Sequence, residues 1–247
     1  MARKDAKSKK NTKSKKYKKN YGAVLLLDSL GTKGSWKGKN ADSVLANWEL
    51  LVETFKENFV PRGKEWNSTY KMFAFSDTII FVVNSKNIQD LLMATAFAAK
   101  MLVAGAMAID IYLRGCISIG EFYESPNMIL GPAIDEAAQY YEKGDWIGVF
   151  TCPSAYGGLT RLQSESPDMF RGAFVKYNVP MKSGKPYNTF AIELDNDFET
   201  WKSYVKMTMI EYAHDKLEHS DDVDGIEKWK NTLDFLYVLN PKNYKEN

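Results

Sequence analysis

Gly22-Ala-Val-Leu-Leu-Leu-Asp-Ser-Leu-Gly-Thr-Lys-Gly34 is the stretch on which the interpretation of this sequence depends. Five apolar residues, Ala23 to Leu27, lead into Asp28 and then into a loop rich in small residues. A continuous apolar run is typical of a strand that is buried on both faces. A carboxylate at the end of such a strand, followed by small residues with accessible backbone N–H groups, suits a metal ion that carries phosphates.

A second stretch, Phe73–Val83, has a matching pattern. It predicts two apolar strands joined by a tight turn at Ser76 and Asp77, so that it also places an acid at the tip of apolar strands. Side by side, the two tips would hold two divalent cations. An aspartate after a strand is also a common turn former or helix cap, so neither aspartate alone identifies a site.

Composition limits the class of protein. The 247 residues, of which 45% are hydrophobic, are enough for one large domain or one domain with an appendage. Cys116 and Cys152 have no metal-ligand spacing and indicate reduced thiols in a cytoplasmic protein. No apolar segment follows the N-terminal charges, so a secretory signal is not expected.

The N-terminal segment, residues 1–20, is strongly basic. It holds ten Lys or Arg residues and one Asp, a net charge of +9; because the whole chain carries +2, the remainder carries −7. With almost no apolar residues, this tail is predicted to be disordered. It is either a solvated segment without a role in activity or a contact for nucleic acid or an anionic membrane.

The hydrophobic periodicity predicts alternating strands and helices along the rest of the chain. Helices are predicted at 41–59, 87–109, 132–143, 197–219 and 225–239. Strands are predicted at 66–75, 78–83, 111–123, 128–131, 146–151, 174–179 and 189–194. The first six elements run β α β β α β, which is the ferredoxin-like plan, with an added hairpin and C-terminal helices. The sequence therefore predicts an α+β fold, with helices on one face of a mostly antiparallel sheet.

The second predicted helix is apolar enough to be checked for membrane spanning. Leu91–Ala108 contains 18 residues with Lys100 as its single charge. A spanning helix needs about 20 apolar residues, and a mid-segment lysine is costly in lipid. We therefore predict a core helix packed on the sheet, with no stable membrane insertion.

Several common catalytic arrangements are missing. The only histidines, His214 and His219, both fall in a predicted C-terminal helix. That excludes a credible Ser–His–Asp or Cys–His arrangement near the core, and it makes a zinc site improbable. The sequence also contains neither a GxxxxGK[ST] nor a GxGxxG motif.

Between Ala23 and Leu194 the sequence resembles the class III nucleotidyl cyclase catalytic domain. That family has a strand ending in a metal-binding Asp, a hairpin with a second metal Asp, a strand with a phosphate-contacting Arg, a G-x-x-V-N-x-A-x-R helix and a K-G-K-G hairpin. Similar segments occur here in the same order: Val24–Asp28, Phe75–Val83, Leu113–Gly120, Gly131–Gln139 and Lys182–Lys185. The resemblance implies a catalytic domain at 21–195 and a helical extension at 196–247.

The resemblance also implies roles for individual residues. Asp28 and Asp77, with the backbone of Ser29, would bind two divalent cations, Mg²⁺ or Mn²⁺, and Arg114 would complete the catalytic group. The phosphate-binding residues would be Leu30, Gly31, Thr32, Lys182 and Lys185. Members of this family place their active sites between two subunits, so a homodimer that binds a nucleoside triphosphate (NTP) is implied.

The sequence departs from the family at four positions. Asp135 and Gln139 stand where the helix motif supplies Asn and Arg, which puts the family's transition-state arrangement in doubt. Phe73 and Met128 stand where purine-reading groups are expected. Apolar residues at both positions favour a pyrimidine base, because hydrogen-bonding groups carry the discrimination between bases; a shift of one or two residues in this alignment would instead make them ordinary core residues.

Among divergent branches, the Leu27–Thr32 loop and the Phe75–Thr78 hairpin resemble the pyrimidine cyclases of Pycsar anti-phage systems. That resemblance implies a uridylate or cytidylate cyclase whose product, cUMP or cCMP, activates a separate effector in antiviral defence. The alternatives are an adenylate or guanylate cyclase, a catalytically silent nucleotide-binding regulatory module, and a nucleic-acid-binding protein that depends on the basic tail.

Overall fold

The computed structural model describes residues 17–31, 41–63, 66–125, 128–194, 207–220 and 222–241. Within these ranges the chain forms eight strands and seven helices. The strands are β1 (Lys18–Leu30), β2 (Thr69–Phe75), β3 (Thr78–Asn84), β4 (Tyr112–Ser125), β5 (Met128–Leu130), β6 (Gly148–Thr151), β7 (Phe174–Val179) and β8 (Tyr187–Ile192). The helices are α1 (Ala41–Gly63), α2 (Ile88–Met107), α3 (Pro132–Tyr140), α4 (Pro153–Glu165), α5 (Pro167–Phe170), α6 (Met209–Glu218) and α7 (Val223–Leu239).

All the described strands form one sheet in the order β2-β3-β1-β4-β6-β8-β7, with β5 paired to β4. The first part, β2-β3-β1-β4, is antiparallel throughout and has the strand order of a ferredoxin-like unit. β6 joins this unit parallel to β4, and the β7–β8 hairpin extends the sheet beyond it. The predicted α+β class and ferredoxin-like core are confirmed.

Strand β1 lies at the centre of the ferredoxin-like unit because its residues Ala23–Leu27 are buried on both faces. Leu25 is directly opposite Phe81 of β3, and Phe81 packs edge-on against Phe55 of α1. Directly opposite residues share a face of an antiparallel sheet. The face that carries Leu25 is therefore covered by α1, and α2 joins it through the Phe59–Phe97 ring contact.

The other face of β1 and β4 is covered by α3. On β4, Ser118 Oγ donates to the Ala133 carbonyl and Cys116 Sγ to the Ala137 carbonyl, both in α3. Arg114 lies two residues before Cys116 on the same strand and so projects from this face as well. The expectation that the helices share one face is therefore wrong for α3. This helix covers the opposite face of the sheet, from which Arg114 projects.

Two helices were not predicted from the sequence. α4 and α5 occupy 153–170, a segment whose two prolines and its Gly157-Gly158 pair weaken the helical pattern. α4 forms because Ala155, Leu159 and Leu162 are buried against the rest of the fold. Tertiary packing here outweighs a weak local propensity.

At both ends of the chain, the limits of the described elements differ from the predicted limits. β1 begins at Lys18, so that residues 18–20 of the predicted tail pair with β4, while residues 1–16 lie outside the described part of the chain. At the other end, α7 packs on β4 through the Trp229–Tyr112 ring contact. Residues 195–206 are not described, so most of the N-terminal half of the predicted helix 197–219 lies outside the described part of the chain.

Among the residues that the structure describes, one helix, Ile88–Met107, is long and apolar enough to cross a membrane by length and composition. In this fold 72% of its most apolar window is buried, and its buried residues face the sheet and the neighbouring helices. It is a core helix of the domain, as the sequence predicted.

Candidate active site

An ion pair between β1 and β4 forms the centre of the candidate site. Asp28, near the end of β1, is directly opposite Arg114 on β4, and Arg114 Nη2 lies 3.2 Å from Asp28 Oδ2. Both side chains are largely buried, at 13% and 8% exposure. Arg114 Nη1 also donates to the Gly144 carbonyl at 3.3 Å, and its buried Nε has no partner among the described residues.

Burial is the main reason why the pKa of Asp28 is raised above its ordinary value. The hydrogen bond and the charge of Arg114 oppose that rise, while the carboxylates of Asp77 and Glu142 add to it. Three charged groups, Arg114, Asp77 and Glu142, therefore act on Asp28 near the end of β1. A cation placed between Asp28 and Asp77 would relieve their mutual repulsion.

The second predicted acid reaches this place through a turn. Ser76 adopts a left-handed conformation with φ of 56°, and the Ser76–Asp77 turn joins β2 to β3. The Ser29 N–H donates to the Asp77 carbonyl at 2.9 Å, which ties the tip of the hairpin to the end of β1. The structure therefore brings Asp28 and Asp77 together, as the two sequence stretches predicted.

The donor set fits a divalent cation whose coordination is completed by substrate. Mg²⁺ in nucleotide sites is usually held by one or two carboxylates together with phosphates and water. Asp28 and Asp77 supply two carboxylates, and the described ranges contain no group of three or more His, Cys, Asp or Glu side chains that could hold a metal alone. Zinc-type coordination is a poorer fit to this pair.

The predicted phosphate loop is only partly described. The Ser29 N–H, one of the backbone groups at the predicted metal contact, is bonded to the Asp77 carbonyl. Leu30 ends β1, and Gly31 follows with a φ of 74° and open space where a Cβ would stand. Thr32, the last predicted member, lies outside the described residues.

A cleft of about 450 Å³ adjoins the ion pair, between the end of α3 and the β7–β8 hairpin. Gln139, Glu142, Lys143 and Lys182 are among its lining residues. The pKa of Lys182 is lowered by partial burial and then by the charge of Arg114, whereas Glu142 acts in the opposite direction. Lys182 therefore lies within electrostatic reach of Arg114 of the same chain.

The other predicted site residues are more dispersed. Lys185 is exposed on the hairpin and lies outside the lining of this cleft. Asp135, in the first turn of α3, is exposed and lies one helical turn before Gln139. Phe73 lines a separate cleft of about 330 Å³ at the β2 edge, and Met128 is 55% exposed on β5.

An ion pair that the sequence analysis missed links β2, the strand of Phe73, to β4, which pairs with the Met128 strand β5. Lys71, two residues before Phe73 on the same face of β2, bonds to Glu124 of β4, whose neighbour Ser125 pairs with Met128. Glu124 also accepts a hydrogen bond from Asn20 at 3.3 Å and is only 12% exposed. The period-2 alternation of β2 places Lys71 beside Phe73, and this signal was available in the sequence.

The comparisons with known proteins concern the fold. No family model and no curated protein matches this chain. Among solved structures, the catalytic core of a rhodopsin-guanylyl cyclase with converted specificity, in complex with ATPαS, matches with a TM-score of 0.50 and 15% identity, over 71% of this chain and 97% of that one. An adenylate/guanylate cyclase/hydrolase from Silicibacter pomeroyi has a TM-score of 0.48 and 16% identity, over 72% and 99%.

An identity this low shows the fold alone. The first match covers 97% of the solved catalytic core and 71% of this chain. It therefore extends over nearly the whole of that core. The eight-stranded mixed sheet with its flanking helices agrees with that match. This chain has the fold of the class III adenylate/guanylate cyclase catalytic domains.

Proposed function

We propose that this protein is a nucleotidyl cyclase, which converts a nucleoside triphosphate into a 3′,5′-cyclic mononucleotide and pyrophosphate. The observation that carries the proposal is the meeting of Asp28, Asp77 and Arg114 at one end of a cyclase-type sheet. Two acids at adjoining strand tips beside a fixed cation suit phosphoryl transfer, in which catalysis consists mostly of positioning and charge stabilisation.

The reaction uses each of these groups in a definite way. When bound, Mg²⁺ or Mn²⁺ at Asp28 and Asp77 would lower the pKa of the ribose 3′-hydroxyl and polarise the phosphate oxygens. The 3′-oxygen attacks the α-phosphorus, its proton passes to water, and pyrophosphate leaves. Arg114, which is always ionised, offsets the negative charge that develops beside it, and Lys182 contacts the departing phosphates from the adjoining cleft.

Partners follow from the same proposal. A homodimer with active sites at the subunit interface would bury apolar side chains that one chain leaves exposed near the site, above all Phe75, which is 82% exposed beside the Ser76–Asp77 turn. We further propose that the enzyme acts in the cytoplasm and that its product activates a separate effector in antiviral defence. A rise of the cyclic nucleotide in cells on phage infection, absent with Asp77→Ala, would test that role.

The finer proposal is that the substrate is a pyrimidine nucleotide, UTP or CTP. Its support is that Phe73 and Met128, at the positions expected to read a purine, are apolar. A second candidate, a purine nucleotide cyclase, is favoured by the Lys71–Glu124 pair, because it places a donor on β2, beside Phe73, and an acceptor on β4, which pairs with the strand of Met128. Replacing Lys71 and Glu124 with apolar residues should change the base preference only if the second candidate is correct.

The deciding experiment incubates the purified full chain with UTP, CTP, ATP and GTP in turn, with Mn²⁺. Products are identified by mass spectrometry, and kcat/KM is measured for each nucleotide under one set of conditions. A hydrogen-bonded pocket should discriminate on the order of 10²-fold or more. A best rate with ATP or GTP would favour the purine candidate, while tight binding of an NTP without a cyclic product would indicate the silent module.

A further inference from the structure

The cleft beside the ion pair holds a lysine to which the sequence analysis gave no role. Lys143 follows the end of α3, and its backbone carbonyl accepts a hydrogen bond from the Lys182 N–H at 2.9 Å. Gly144 forms an isolated bridge with Met181, which holds the two segments together over consecutive residues. The side chains of Lys143 and Lys182 therefore leave the backbone from adjacent points and line the same cleft.

The two ammonium groups lack a carboxylate partner within the described part of the chain. Lys143 Nζ lies 4.3 Å from the centre of the Tyr140 ring, a contact that holds the cation without neutralising it. Glu142, the carboxylate that lines the cleft, accepts a hydrogen bond from the Tyr141 hydroxyl at 2.7 Å. The two lysines exceed the one carboxylate among the lining residues, and Arg114 adds to the positive potential at Lys182.

The depressed pKa of Lys182 agrees with that excess. Partial burial and the nearby guanidinium both disfavour its charged form, and Glu142 and Asp145 only partly offset them. A bound polyanion would remove this repulsion and would gain charge-assisted hydrogen bonds from two ammonium groups at once. The open cleft of about 450 Å³ has room for the phosphates of a nucleotide.

We propose that Lys143 is a further phosphate-binding residue, which together with Lys182 holds the two terminal phosphates of a nucleoside triphosphate in this cleft. The inference rests on the proposed function only for the identity of the nucleotide. The polyphosphate itself is recognised by the two ammonium groups, whatever base or reaction follows. Lys143 thereby contacts the part of the substrate that leaves as pyrophosphate.

The test measures binding of inorganic tripolyphosphate to the full chain by isothermal titration calorimetry, without divalent cations. Lys143→Ala should weaken binding on the order of 10-fold, since one charge-assisted contact is lost. Lys143→Arg should retain most of the affinity because the charge remains. Lys176→Ala is the matched control: Lys176 is an exposed lysine of β7 that does not line the cleft, and its loss should leave binding unchanged.

Each outcome decides between the proposals. Failure of the unaltered chain to bind tripolyphosphate, or equal affinity of Lys143→Ala and Lys176→Ala, would overturn the role of Lys143 whether or not the protein is a cyclase. Binding that depends on Lys143 in a protein that cyclises no nucleotide would leave the subsite standing and refute the cyclase function. In an active enzyme, Lys143→Ala should raise KM for the NTP more than it lowers kcat.

Discussion

Asp28 and Arg114 stand directly opposite each other on β1 and β4, and their side chains meet at 3.2 Å in a nearly buried ion pair. Breaking a buried pair by removing one partner leaves an uncompensated charge and costs about 3–5 kcal/mol. Arg114 therefore has a structural role in addition to the proposed catalytic one. The same reasoning means that loss of activity after a change at Asp28 must be separated from loss of folding.

Arg114→Met should lower the free energy of unfolding by about 3–5 kcal/mol, because Asp28 would keep a buried carboxylate without its partner. Urea denaturation, followed by tryptophan fluorescence, measures this change. Arg161→Met is the control: Arg161 pairs with Glu165 on the surface of α4 with 69% of its side chain exposed, so its loss should cost less than about 1 kcal/mol. Equal losses in both variants would contradict the importance of the buried pair.

Asp77→Ala is the cleaner test of the metal-binding proposal. The turn should survive, because the Ser29 N–H bonds to the backbone carbonyl of Asp77, which alanine retains. We expect kcat to fall on the order of 10²-fold or more with little change in stability. Asp168→Ala, on the exposed helix α5 where this side chain is 91% accessible, serves as the control. Comparable turnover in the two variants would remove Asp77 from the site.

Phe75→Ser tests the proposed dimer. An aromatic ring that is 82% exposed beside Asp77 is expected to lie in an interface, since such a ring gains much apolar burial there. Sedimentation velocity should show the unaltered chain as a dimer and the variant shifted toward monomer, with a parallel fall in activity. Val223→Ser, at a similarly exposed apolar position that begins α7, should leave the dimer intact.

Two N-terminal truncations should behave differently. Removing residues 1–16 leaves β1 whole, so activity on free NTP and thermal stability should be retained. Removing residues 1–20 also deletes the pairing with β4 and takes away Asn20, which is buried and bonds to Glu124. With about 1 kcal/mol for each lost hydrogen bond, a fall in Tm is expected for the longer deletion only.

Asp110 should give stability a dependence on acid pH. Burial tends to raise its pKa, but Lys216, Tyr212 and Tyr112 outweigh that effect and lower it. Because the folded-state pKa is depressed, the stabilisation is complete above the unfolded-state value of about 3.9 and is lost as pH falls through the folded-state value. The difference in unfolding free energy between the unaltered chain and Asp110→Asn should therefore shrink on acidification. A constant difference would contradict the assignment.

The sequence predicted the site best where acidic residues lie at the ends of apolar, strand-forming runs. Asp28 and Asp77 could be placed together because each lies at the tip of apolar strands, and two of these strands, β1 and β3, are adjacent in the sheet. The contribution of Glu142 and Lys143 could not be predicted, because it depends on a hairpin about 40 residues later that fixes their backbone from outside. α4 was missed for a related reason: its helical state depends on tertiary burial that no local window contains.

The segment that accepts the Arg114 hydrogen bond is also held from the C-terminal side. Asn231 donates to the Asp145 carbonyl at 2.7 Å, and the Ile147 N–H donates to Thr232 Oγ1 at 2.9 Å, both from α7. Gly144, the acceptor for Arg114, directly precedes this pair of contacts. Helix α7 and Arg114 therefore hydrogen-bond to the same backbone segment, residues 144–147. A molecule that bound the outer surface of α7 and displaced this helix would therefore also displace the carbonyl that accepts the Arg114 hydrogen bond, without entering the cleft.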